Sequence, residues 1–87
     1  MTQPWIKICG VTQNKDADYA AELGVNALGF VFYPNSPRAV SLQVLPKIIE
    51  NLEGSVSTVA LFVNPTKDGV NKVLDSGLID LIQFHGN

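Results

Sequence analysis

Cysteine, histidine, arginine, tryptophan and methionine each occur once in the 87 residues. A single cysteine, Cys9, excludes an internal disulfide and points to a reducing compartment. With no second His or Cys, a zinc site lacks its donor set, and no metal is expected. The six basic residues, five lysines and Arg38, are scattered, and the net charge is −2. No basic stripe exists to track phosphates, which excludes a nucleic-acid binder. The opening MTQPWIK lacks the apolar stretch of a signal peptide. No apolar run approaches the ~20 residues of a membrane-spanning helix. The expectation is a cytoplasmic protein without a membrane partner. Neither a GxGxxG nor a Walker motif is present, so nucleotide binding has no support.

What is present is a globular composition, 46% hydrophobic and 16% charged. The apolar segments alternate in kind. WIKIC (5–9) is short and β-branched, as a strand is. NKDADYAAELG (14–24) reads as a helix capped by Asn14, with Ala17, Ala20, Ala21 and Leu23 as its apolar stripe and Gly24 as its stop. ALGFVFY (27–33) is nearly all apolar, the mark of a strand buried on both faces. SLQVLPKIIENLEG (41–54) predicts a helix between a capping Ser41 and Gly54, starting late, near Leu45, because of Pro46. STVALFVN (57–64) is a third strand. TKDGVNKVLDSG (66–77) is a helix capped by Thr66, with Val70, Val73 and Leu74 on one face. DLIQFHGN (80–87) is a fourth strand.

The order β-α-β-α-β-α-β implies right-handed crossovers and a parallel sheet. GVNALGF (24–30) and GLIDLIQF (77–84) form a weak repeat: each leaves a helix through Gly and enters a strand ending in Phe. Such βα units fit a (β/α)8 TIM barrel or an open doubly wound sheet. A whole barrel takes ~250 residues. The chain therefore reads as a truncated, partial domain over 1–87, with no helix to cover its fourth strand.

In parallel α/β proteins the chemistry sits at the C-terminal ends of strands. Four stretches qualify: Cys9-Gly10, Phe32-Tyr33-Pro34 with the loop to Val40, Val63-Asn64, and His85-Gly86. The only Cys, Arg and His all fall at or just after such ends. Most free cysteines are simply small buried hydrophobes. A thiol pKa of ~8.5 means that a basic role for Cys9 gains from a positive neighbour. Strand alternation puts Lys7 on the same face, ~7 Å away. A solvated strand lysine, or a partner for an inward carboxylate, is the plainer account of Lys7. Two prolines stiffen the loop that carries Arg38, whose fork suits a carboxylate or phosphate. An exposed surface arginine is the plain alternative. Gln83 and His85 share a face, and a structural histidine is the commonest case.

Together KICG (7–10), GFVFYPNSPRAVS (29–41), VALFVN (59–64) and IQFHG (82–86) resemble the phosphoribosylanthranilate isomerase family. KICG followed by GFVFYPxSPR is the specific part. The resemblance implies the N-terminal half, strands one to four, of a (β/α)8 TIM barrel. It implies an isomerase of tryptophan biosynthesis that performs an Amadori rearrangement on a phosphosugar, N-(5-phosphoribosyl)anthranilate. It makes Cys9 the general base. It gives Arg38 the anthranilate carboxylate, sets His85 along the pocket, and counts Lys7 of the same KICG motif with these substrate-binding positions. No metal or organic cofactor is implied.

The family's general acid is an aspartate after the fifth strand, and its phosphate is held after the seventh and eighth. The five aspartates here, Asp16, Asp18, Asp68, Asp75 and Asp80, fall on helices or at a strand start. The 87 residues alone are expected to be inactive. Two alternatives stand beside this reading. One is another phosphosugar barrel enzyme, such as a pentose-phosphate epimerase or indole-glycerol-phosphate synthase, which would put carboxylates, lysines or metal-binding histidines at its strand ends. The other is a non-catalytic half-barrel that self-associates.

Overall fold

The structure, a computed structural model, describes residues 4–52 and 54–85. The elements are β1 (Lys7–Cys9), α1 (Asn14–Glu22), β2 (Ala27–Val31), α2 (Leu45–Ile48), β3 (Ser57–Val63), α3 (Lys67–Asp75) and β4 (Leu81–His85). All neighbours pair in parallel, in the order β1-β2-β3-β4. This is the expected alternation. Gly86 and Asn87, the end of the predicted fourth strand, lie outside the described residues, as does Glu53 in the predicted second helix.

Each face of the sheet has its own residue set, because side chains alternate along a strand. Leu28 and Phe30 of β2, with Ala60 and Phe62 of β3, point to the helices. There they meet Ala17 and Ala20 of α1, Leu45 and Ile48 of α2, and Val73 of α3. Phe30, Leu28 and Leu45 are the largest fully buried side chains. Every residue of β2 is buried, as the unbroken apolar run predicts.

The opposite face carries Lys7 and Cys9, then Gly29 and Val31, then Leu61 and Val63, then Gln83 and His85. The Lys7 ammonium donates to Gln83 Oε1, which joins β1 to β4 above the two strands between them. In a flat sheet those strands lie roughly 14 Å apart, three spacings of ~4.8 Å. Their side chains meet because the sheet curls toward this face, which is therefore concave.

Three local readings need correction. Asn14 is the first residue of α1, not its cap. Gln13 holds the cap position without a side-chain bond. Asn14 Nδ2 instead donates to the carbonyls of Lys47 and Ile48, tying α1 to α2. Leu23 is 62% exposed and leaves the stripe to Ala17, Ala20 and the partly buried Ala21. The second helix ends at Ile48, well short of Gly54, and Val44, not Ser41, holds its cap position. Pro46 at its first turn permits the late start, and a single further turn, Leu52 N–H to Ile49 O, follows. The third helix matches its signals, with the Thr66 hydroxyl accepting from Gly69 N–H at 3.0 Å, although Leu74 is half exposed.

The sequence repeat has a structural meaning. Asn26 and Asp80 occupy equivalent places just before β2 and β4. Asn26 Oδ1 accepts the N–H of Ile6 at 2.7 Å, and Asn26 N–H returns to Ile6 O at 2.8 Å. Asp80 Oδ2 accepts the N–H of Thr58 at 2.9 Å, and Asp80 N–H returns to Thr58 O at 2.9 Å. Each is a clamp on the N-terminal end of the preceding strand. Gly24 and Gly77, both at positive φ (84° and 73°), turn the chain from helix into clamp. Thr58 is buried and also donates its hydroxyl to Leu78 O at 2.7 Å. Asp80→Ala strands the Thr58 N–H, so urea unfolding is expected to show a loss of ~1–3 kcal/mol. A loss below ~0.5 kcal/mol, the level of an ordinary surface change, would remove the clamp.

Candidate active site

The concave face opens at the C-terminal ends of the strands into a cleft of about 310 Å³. It is lined by Cys9 and Gly10 after β1, Val31, Tyr33, Ser36 and Arg38 after β2, Leu61 and Val63 of β3, and His85 of β4. Three of the four positions singled out in the sequence, Cys9, Arg38 and His85, thus share one cleft. All three are exposed. Lys7 is not among its lining residues. It lies two residues down β1 on the same face, where Gln83 holds it.

Local structure explains each placement. The carbonyl of Gly29 accepts both Gly10 N–H (3.0 Å) and Val11 N–H (3.1 Å), which pins the turn after Cys9. Gly10 has φ +87°, a conformation that favours glycine. The loop after β2 makes a turn, Ser36 N–H to Tyr33 O at 3.0 Å. Arg38 N–H then donates to Ser36 Oγ at 3.1 Å, and Val40 N–H returns to Val31 O at 2.8 Å. The loop is thereby folded back beside β2. It lays the Arg38 side chain over Gly10: a β-carbon built there would meet Arg38 Cδ at 2.9 Å and Nη1 at 3.2 Å. The guanidinium therefore lies over the residue that follows Cys9 by virtue of a missing side chain. His85 closes the opposite wall, since its register partner is Val63.

The arrangement puts a thiol, a guanidinium and an imidazole around one open space of ligand size. The thiol and imidazole can move protons, and the guanidinium can fix an anion. Among the described residues, no group of three His, Cys, Asp or Glu side chains is placed to hold a metal ion. None of the described aspartates lines the cleft. Tyr33, Ser36 and Gly10 lie within stretches marked by the strand-end rule, though only their neighbours carry an evident chemistry. Gly29, beneath Cys9, gave no signal except a glycine inside a bulky apolar run.

A family profile described as N-(5'phosphoribosyl)anthranilate (PRA) isomerase matches residues 6–87. The N-(5'-phosphoribosyl)anthranilate isomerase of Azotobacter vinelandii is 52% identical over 81 residues, which cover 93% of this chain and 39% of the relative. A crystal structure of phosphoribosyl anthranilate isomerase in complex with reduced 1-(o-carboxyphenylamino)-1-deoxyribulose 5-phosphate superposes with a TM-score of 0.91 at 35% identity, covering 98% of this chain and 44% of that one. Monomers derived from the dimeric Thermotoga maritima enzyme give 0.87 at 34% identity, over 97% and 42%. The chain thus spans about two fifths of the length of the curated relatives it matches. Its four parallel strands and their helices are part of the barrel of these proteins. On the profile match and the identity together, the chain belongs to the N-(5'-phosphoribosyl)anthranilate isomerase family.

Proposed function

We propose that this chain supplies the base and the carboxylate anchor of an isomerase that rearranges N-(5-phosphoribosyl)anthranilate to 1-(2-carboxyphenylamino)-1-deoxyribulose 5-phosphate. The observation that carries this is the meeting of Cys9 and Arg38 at one cleft rim, from two different βα loops. In the rearrangement the protonated furanose opens to an iminium ion. The C2′–H bond then breaks: its proton passes to the Cys9 thiolate, its electron pair forms the C1′–C2′ double bond, and the C1′=N⁺ π pair moves onto nitrogen, giving a neutral enolamine. The enolamine becomes the ketone. Arg38 pairs its fork with the anthranilate carboxylate, which sets C2′ above the thiol. His85 bounds the sugar side. Lys7, held by Gln83, contributes positive charge below the floor.

The acid that protonates the ring oxygen and the phosphate cup belong, in this reading, to later strands of the barrel. The 87 residues by themselves turn over no substrate. The proposed location is the cytoplasm, in keeping with one unpaired cysteine. Among the described residues, no helix is long and apolar enough to cross a membrane.

The test joins this chain to the C-terminal part of the Azotobacter vinelandii isomerase and follows consumption of the fluorescent substrate. Arg38→Ala in that chimera loses a charge-assisted bond of ~1.5–3 kcal/mol, so KM rises by roughly 10- to 150-fold. An unchanged KM removes Arg38 from the anchor position, and a chimera inactive with Arg38 intact overturns the whole reading.

A second reading is favoured by the sheet edges. Ile6 (46% exposed) and Ile8 (39%) on the outer face at β1, and Phe84 (64%) on β4, are bare apolar side chains next to strand edges that are unpaired among the described residues. Two copies can close such edges on each other, β1 of one protomer against β4 of its partner. Light scattering of the isolated chain then gives a mass that doubles with concentration, whereas a monomer at every concentration excludes the pairing.

A further inference from the structure

Gly29 sits in the middle of β2, directly paired with Cys9. Glycine is a poor strand residue, and inside a strand it often marks a close approach. Its backbone does not need glycine here: of the glycines, only Gly10, Gly24 and Gly77 have positive φ among the described residues. The requirement is spatial. A β-carbon built at position 29 would lie 2.9 Å from Cys9 Sγ, and 3.2 Å from both its Cα and Cβ. The sulfur therefore occupies the volume that a side chain at 29 would fill. It leans sideways over β2, along the floor of the cleft, instead of standing on β1. The same residue's carbonyl holds the turn after Cys9 through two N–H donors. One glycine thus governs both the backbone and the side-chain direction of the thiol.

We infer that Gly29 is the positioning residue for Cys9, its missing side chain giving the sulfur the seat from which it meets a ligand held by Arg38. This rests on the reading of Cys9 as base and Arg38 as carboxylate anchor. With a methyl group at 29, the thiol is driven to another rotamer, and the pressure on Cys9 Cα and Cβ leaves it little room to return. The distance from sulfur to an anchored ligand then changes, while Cys9 stays open to solvent.

Cys9 is the only thiol, so alkylation of the chain reports on it alone. Two reagents separate seating from exposure: N-phenylmaleimide and N-(2-carboxyphenyl)maleimide. The carboxylated reagent is expected to react about tenfold faster, the worth of one anchoring contact, and Arg38→Ala should abolish that preference. Gly29→Ala should abolish it too, with the rate toward small, neutral iodoacetamide changed less than about twofold. A Gly29→Ala chain that keeps the full preference overturns the proposal. Should the wild-type chain show no preference, the anchor reading fails, and thermal melting decides the seat separately. Gly29→Ala should lower Tm, and in a Cys9→Ala background that loss should shrink by about half or more, because contacting residues couple. Equal losses in both backgrounds overturn the proposal. If Gly29→Ala alone does not fold, recovery of folding by adding Cys9→Ala supports it, and failure to recover counts against it.

Discussion

Cys9→Ala in the chimera with the Azotobacter vinelandii isomerase is expected to lower kcat by ~10²–10⁴-fold, the contribution of one acid–base group, and to leave KM within about threefold. The split follows from what the thiol is asked to do. Proton abstraction from C2′ is felt only in the transition state, so its loss falls on kcat. Arg38 remains over Gly10, and on the proposed role it still grips the carboxylate. Cys9→Ser sharpens the test, because a hydroxyl keeps the size of the group while being a far weaker acid. It is expected to behave like alanine in rate and like cysteine in stability. A Cys9→Ala chimera with near-normal kcat would sink the assignment, and the search for a base would move to His85, the imidazole on the cleft. A variant that loses KM and kcat alike, with an altered melting curve, would show that Cys9 packs instead of reacting.

The largest effect on stability belongs to Phe30→Ala. Phe30 is fully buried on β2, on the face where α1 and α2 converge. Truncating such a residue costs ~3–5 kcal/mol, the transfer of the ring plus the cavity it leaves. The full stability of a small domain is only ~5–15 kcal/mol, so the variant is expected to lose its cooperative melting transition or to keep it only at low temperature. Phe84→Ala is the matched control. It is also a strand phenylalanine, and it stacks on Phe62 with ring centroids 6.3 Å apart, yet it is 64% exposed. Its removal should cost under ~1.5 kcal/mol, the scale of one aromatic pair. Chemical denaturation of the two variants side by side measures the difference. Equal losses would mean that the core is not centred on β2.

The sequence was most legible where one residue's environment is set by its near neighbours. The unbroken apolar run of β2 announced a strand buried on both faces, and Thr66 announced the start of α3. The site was legible for a related reason. A parallel sheet puts all its strand ends on one rim, so Cys9, Arg38 and His85 could be brought together from topology alone. Reading failed where a contact between distant segments competes with a local signal. Asn14 has the chemistry of a cap but spends its amide on the carbonyls of Lys47 and Ile48, 33 and 34 residues away. The second helix stops early although Gly54 offers a stop further on. Strand alternation puts Lys7 on the face of Cys9, but no local rule predicts that Gln83, 76 residues later, engages it. Asn26 and Asp80 lie inside the two repeated stretches, but nothing in the letters marks them as a pair, and their shared task emerges only when the strands are paired. Gly29 is the extreme case. Its contribution is an atom that is not there, and only the position of Cys9 Sγ gives that absence a meaning.

The two clamps and the cleft lie at opposite ends of the same strands. Asn26 and Asp80 fasten the N-terminal ends, whereas every lining residue of the cleft lies in the C-terminal part of its strand or in the loop that follows. Amide exchange along a strand should accordingly be slow at the fastened end and quicken toward the rim. A rim that breathes while its base stays shut can be rewritten residue by residue with little debt to the fold. The loops after β1 and β2 are therefore where new substrate preferences would be cheapest to select, and the GVN and GLID turns are where variation would be most heavily purged.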